Sequence, residues 1–182
     1  LRLLSKIPKS SLRENISYDS YELDGLLNLR KSTWFVEIAS HPLSEEALTG
    51  NIEKIIIDLK KSLWHAERQA IRAYEYFSQQ KESDFPMKKV RGCLILLDGL
   101  YPSINENLLV KLWTQPKNIK RYAINFFDLY EILKQPEINR FEEFLLWRSG
   151  YLGNMPIWAF NEREYWAFYN DIYKVNEQYR ET

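Results

Sequence analysis

The chain has very little sulfur or imidazole chemistry to offer. Of its 182 residues one is cysteine, Cys93, and two are histidines. A single thiol can form neither an internal disulfide nor a thiolate zinc site. Inside the apolar run "GCLILL", Cys93 reads as buried rather than nucleophilic. A lone buried thiol suits a reducing compartment, so a cytoplasmic location is expected. Net charge is lacking too: 25 basic residues face 25 acidic ones. No global field draws nucleic acid, and any such binding must use a local patch. No uninterrupted apolar run is long enough to span a bilayer, so no membrane partner is expected. The start, "LRLLSKIPKSSLRENI", has no long apolar core or small-residue cleavage site of a signal peptide. It begins with Leu rather than Met, which points to a piece of a longer polypeptide or a start lost to processing. HExxH, paired CxxC, a Gly-rich phosphate loop and GxSxG are all missing, which removes the zincin, P-loop and serine-hydrolase signatures.

What is present is a globular composition, 45% hydrophobic and 27% charged, with 15% aromatic residues. That length and composition suit one domain over 1–182, with a core over about 12–135 and a helical C-terminal part over about 136–182. The aromatics serve chiefly as packing residues. Alternation and β-branched content predict strands over Leu12–Tyr18, Ser20–Leu29 and Thr33–Ala39. Ser44, Glu46 and Ala47 are placed to open a helical turn. From Asn51, a plausible N-cap, to Gln80 the apolar residues recur at three- and four-residue steps, a long helix. Val90–Asp98 is a continuous apolar run, the pattern of a buried central strand. Leu108–Trp113 is a short apolar piece of undetermined type. Lys120–Phe127 reads as a strand, followed by a helix with Asp128 as N-cap and Glu131 three residues on. Further helices are predicted from Pro136 to Gly153 and in the last stretch, whose Tyr165, Trp166, Phe168, Tyr169 and Tyr173 mostly suit one face. This order gives an α/β domain.

The hairpin "SYELDGLLNLRKSTWFVEIASHP" carries acid where a buried strand is expected to be apolar. Alternation puts Glu22 and Asp24 on one face, and a short turn lets Asp24 converge with Glu37. Converging carboxylates repel unless one takes a proton or a cation sits between them. Oxygen ligands suit Mg²⁺ or Mn²⁺, which activate water and stabilise charge on a phosphodiester. The plain alternative is a pair of edge strands whose acids face solvent.

"YELDGLLNLRKSTWFVEIASHPLS" resembles the core of the PD-(D/E)xK, or restriction-endonuclease-like, nucleases, and within them the subgroup near the nuclease-related domains. "WHAERQAIRAYEYF" is similar to the long helix that follows the catalytic strand there, "RGCLILLDGLYPS" to the next buried strand, and "INFFDLYEILKQPEINRFEEFLLWR" to the closing strand and helices. The likeness runs from about Glu14 to Arg148. It implies a central mixed sheet flanked by helices with a C-terminal helical extension, and a nuclease working with Mg²⁺ or Mn²⁺. Asp24 and Glu37 would hold the metal with the backbone carbonyl of Ile38, and Glu22 would assist. Gln69 would lie near the site, unless it is simply a solvent-facing helix residue. Glu14 would correspond, weakly, to an acid from an N-terminal element. The implied partners are nucleic acid, DNA more than RNA, and a larger bacterial defence protein with a sensor or ATPase elsewhere.

Ala39 departs from the pattern, which has lysine there to orient water and stabilise developing charge. A methyl group does neither. Three explanations compete: a deliberate Lys→Ala change, natural loss of activity, or transfer of the role to Lys31, Lys54 or Gln69. The persistence of Glu22, Asp24, Glu37 and Gln69 favours a deliberate change. The rival class is a non-catalytic interaction domain that forms a homo-oligomer through its aromatic C-terminal helices. His41 and His65 lie near the proposed site, and His65 shares a helix face with Gln69. "KKVR" (Lys88 to Arg91) and "KNIKR" (Lys117 to Arg121) are basic clusters that either touch phosphates or are solvated strand ends.

Overall fold

The acidic hairpin and the apolar run become neighbours in one sheet. A computed structural model describes residues 1–40, 42–80, 87–98, 120–150 and 161–178. The strands are β1 (Ser11–Tyr18), β2 (Tyr21–Asn28), β3 (Thr33–Ala39), β4 (Val90–Leu97) and β5 (Lys120–Asn125), paired in the order β1-β2-β3-β4-β5. β1, β2 and β3 are antiparallel neighbours, whereas β3, β4 and β5 run parallel. The sheet is therefore mixed, and helices flank it. Tyr18 pairs with Tyr21, so the β1–β2 turn has only Asp19 and Ser20 at its tip, with Asp19 at φ +51°. Aspartate tolerates that left-handed conformation.

Between β3 and β4 the chain crosses one face of the sheet as a short helix α1 (Glu45–Leu48) and the long α2 (Ile52–Gln79). Asn51 caps α2 as expected, its side chain accepting from the Lys54 amide at 3.2 Å. Ala66, Ala70 and Ala73 are buried against Phe35, Cys93, Ile95 and Ala123. Small side chains at these positions let the helix lie close to the strands. β4 is buried on both faces, which is why it reads as a continuous apolar run.

The opposite face carries α3 (Phe126–Leu133), α4 (Phe141–Gly150) and α5 (Glu162–Gln178). Their start positions correct two expectations. β5 ends at Asn125, and Asn125 rather than Asp128 caps α3, accepting from the Phe127 amide at 2.7 Å. The helix expected from Pro136 begins instead as a 3₁₀ segment, Pro136–Arg140, before α4. Residues 151–153 of that expectation, and Leu108–Trp113, lie outside the described residues. The helical part after 136 is not an extension beyond the core. Phe141, Phe144, Leu145, Tyr165, Trp166 and Tyr169 are buried with Trp34, Val36, Leu94, Leu96, Tyr122 and Ile124 of the sheet. The aromatics assigned to an oligomer surface are thus largely in the chain's own interior. Of the five, Phe168 remains exposed, and the side chain of Tyr173 is outside the described set.

Buried charge holds this face together. Arg148 of α4 is fully buried and forms a two-pronged pair with Glu162 of α5, at 3.0 Å from Nε and 2.9 Å from a terminal nitrogen. Tyr122 of β5 donates its hydroxyl to the same carboxylate. Asp128 accepts from the Glu162 amide at 3.1 Å and pairs with Arg163 at 2.9 Å. It therefore satisfies the start of α5 rather than its own helix, where Asn161 also accepts from the Glu164 amide at 3.0 Å.

Candidate active site

Pairing of β2 with β3 runs from Asn28↔Thr33 to Gly25↔Val36 and stops there. One residue further, the Asp24 side chain takes over: its Oδ2 accepts the Ile38 amide at 2.7 Å. A strand residue presents its N–H and C=O to the same side, so the Ile38 carbonyl faces the gap that β2 vacates. Glu37, on the α2 face of β3 beside Phe35 and Ala39, is 1% exposed. Its pKa is pushed up to about 9, first by burial, then by the negative charge of Asp24 and a hydrogen bond shared with it. Among the described residues its Oε1 has no hydrogen-bond partner.

The convergence of Asp24 and Glu37 does not come from simple alternation. Leu23 and Leu26, three apart, both pack on the α2 side, while Leu27 packs on the other. β1 changes face at the same level, with Leu12 on one side and Ile16 and Tyr18 on the other. Asn15, at φ +52°, stands between the Glu14↔Gly25 and Ile16↔Leu23 pairs and hence opposite Asp24. The two strands kink together, and the kink turns Asp24 toward β3. The expectation that Glu22 and Asp24 share a face is corrected accordingly. The Glu22 side chain is exposed, and its charge gives only the smallest of the pushes on Glu37.

Gln69 is not a free solvent-facing residue. Its side-chain amide donates to the Glu22 carbonyl at 3.4 Å, and its backbone carbonyl accepts from the Tyr18 hydroxyl at 3.1 Å. It ties α2 to the β1–β2 hairpin. Tyr18 is held at a pKa of about 12 by burial first and by Glu37 second.

Ala39 is 3% exposed and lies in the cluster with Leu59, Leu63 and Leu97. It also lines a cavity of about 250 Å³, walled on the β3 side by Ile38, Ala39 and Ser40 and on the α2 side by Lys61, Ser62 and His65. Asp58, one turn before Ser62, accepts from both the amide and the hydroxyl of Ser44, at 2.8 and 2.7 Å, anchoring the chain that leaves β3.

Of the amines proposed to replace a lysine at 39, neither reaches it. Lys31 stands at the opposite end of β3, paired with Glu143 at 3.3 Å, and Lys54 pairs with Glu46 at 2.7 Å. Glu14 is exposed on β1, across from Gly25. His41 lies outside the described residues. Lys89 and Arg91 are exposed, whereas Arg121 is fully buried against Glu67 at 3.8 Å. The phosphate-contact reading of "KNIKR" is therefore wrong for Arg121, which faces the carboxylate under α2, and Lys117 to Ile119 are outside the described residues. Cys93 is buried, and burial first, then Glu37 and Glu67, hold its thiol well above the usual range.

Among the described residues no three His, Cys, Asp or Glu side chains come together as a metal cage. The donors at this edge are two carboxylates and a backbone carbonyl. That set fits Mg²⁺ or Mn²⁺, which keep several waters and take one or two carboxylates. The buried, unpartnered Oε1 of Glu37 is the specific sign of fit. Lys61 and Ser62 went unmarked in the sequence, although stepping back one turn from the His65–Gln69 pair reaches Lys61. No protein-family model matches the chain, and neither a curated protein nor a solved structure matches it.

Proposed function

We propose that the chain is a metal-dependent phosphodiester hydrolase, a nuclease domain of the restriction-endonuclease-like class. The observation that carries this reading is a buried glutamate with an unpartnered oxygen, set against an aspartate that the backbone of the same strand holds in place. Such a pair is costly without a counter-charge. Asp24, Glu37 and the Ile38 carbonyl would hold the Mg²⁺ or Mn²⁺, which when bound supplies an acidified water and positive charge beside the phosphate. The residues' own part is positional. The Ile38 amide fixes Asp24, and the sheet and α2 keep Glu37 from bulk water, which favours its protonated form until a cation takes the proton's place. In the hydrolysis, a water oxygen bonds to phosphorus and the phosphorus–oxygen bond to the leaving sugar breaks. The leaving oxygen gains a proton from solvent as the attacking water loses one to it. The sequence resemblance favours DNA as substrate and a role as effector module in a larger defence protein.

One observation favours a second reading, a non-catalytic interaction domain on the same scaffold: where the chemistry calls for an amine, Ala39 presents a buried methyl group.

Calorimetric titration with Mg²⁺ and Mn²⁺, with cleavage assays on single- and double-stranded DNA and RNA, separates the two. The native chain is expected to bind the cation and cut slowly. Asp24→Asn should weaken cation binding and lower cleavage about a hundredfold or more. If neither the native chain nor Ala39→Lys binds a cation or cuts any substrate, the hydrolase reading gives way to the second.

A further inference from the structure

We infer that Lys61 supplies the positive charge this site lacks at position 39, reaching the scissile phosphate from α2 across the cavity beside Ala39. This rests on the hydrolase reading above. Phosphodiester attack places growing negative charge on the non-bridging oxygens, and a fixed cation aimed there lowers the barrier. At the end of β3 the methyl of Ala39 leaves open space, and that space is the cavity of about 250 Å³ whose other wall is Lys61, Ser62 and His65. Of the lining residues Lys61 is the one lysine or arginine.

Its rivals are placed elsewhere. Lys54 lies seven residues earlier on α2, roughly 10 Å along the axis, and Lys31 about eight extended residues away, roughly 25 Å. Both are already paired with carboxylates. Among the described residues Lys61 forms no ion pair, although Asp24 and Glu37 lie at the adjoining edge. One turn before the cavity, the bonds from Ser44 to Asp58 tie the chain that leaves β3 to α2. Moving an amine from strand to helix keeps the charge beside the same phosphate while leaving an apolar residue in the strand.

The test compares the native chain with Lys61→Ala, Ala39→Lys, the double variant Ala39→Lys/Lys61→Ala, and Asp24→Asn. Cleavage is measured in Mg²⁺ and Mn²⁺. Binding of a fluorescein-labelled DNA is followed by anisotropy in EDTA across a salt series, and folding by thermal unfolding. Lys61→Ala is expected to lower cleavage about a hundredfold and to reduce the salt slope of binding by about one charge, with melting unchanged. Ala39→Lys added to it should restore both, a recovery that a merely structural role for Lys61 would not show. If Asp24→Asn stops cleavage while Lys61→Ala cuts and binds as the native chain does, the inference fails alone. It fails also if the double variant is no better than Lys61→Ala. If every protein, Ala39→Lys included, leaves nucleic acid intact, the hydrolase reading falls and takes this inference with it.

Discussion

Replacing Glu37 by glutamine is expected to stabilise the metal-free protein, by a margin that widens as pH rises. Glu37 holds its proton up to about pH 9 in the folded chain, against an ordinary value of 4.5. Between those two limits the folded state carries a proton that the unfolded state has released. Stability therefore falls with rising pH across that window, by about 1.4 kcal/mol for each pH unit. It is fully retained below the lower limit and lost progressively as the upper one is approached. Glutamine copies the shape of the protonated acid and can still donate to Asp24, yet it has no proton to lose. Melting temperatures of the two proteins in EDTA should lie close together at pH 5 and differ by roughly 10 °C at pH 8. Mg²⁺ should reverse the order of gain, since the cation takes the proton's place only in the native chain. Parallel melting curves at all pH values, with and without Mg²⁺, would show that Glu37 is not the buried, proton-holding acid described above.

Arg148→Ala is expected to cost about 3–5 kcal/mol, because it leaves the Glu162 carboxylate buried without its cation. Glu162 is 1% exposed and is the first residue of α5, so the loss acts where that helix docks against Tyr122 and Asp128. In a chain of this size the melting temperature should drop by roughly 10 °C. The double change Arg148→Met/Glu162→Gln should recover a good part of it, since a buried pair can be exchanged for less polar groups at little cost. A drop of under about 1 kcal/mol for Arg148→Ala would mean that packing of Tyr165, Trp166 and Tyr169 alone seats α5.

Local pattern carried much of the architecture. Thr33–Ala39 is a strand with the bounds its β-branched and aromatic residues predict, and α2 starts at the cap its sequence offers. The apolar run of β4 announces a strand covered on both faces. The misassigned cap at α3 has a specific cause. Asp128 followed by Glu131 imitates a capping box, but Asn125 satisfies the helix start and frees Asp128 for the amide of Glu162, 34 positions away. Arg121 departs from its local pattern for a similar reason. A basic residue at a strand end is exposed unless a distant carboxylate faces it, and Glu67 does so here.

The sequence by itself therefore determined most of the elements and brought Asp24 and Glu37 to adjoining strands, since a short turn admits few other arrangements. Only the tertiary structure decided what surrounds them. The joint kink at Asn15 and Asp24 turned one acid toward β3 and left Glu22 outside. The passage of α2 across the sheet buried Glu37, put Gln69 against the hairpin, and set Lys61 and Ala39 on the walls of one cavity. Periodicity records which side of a helix is apolar, not which strand that side will cover. That choice follows from the apolar surface of the whole sheet, assembled from residues far apart in the chain.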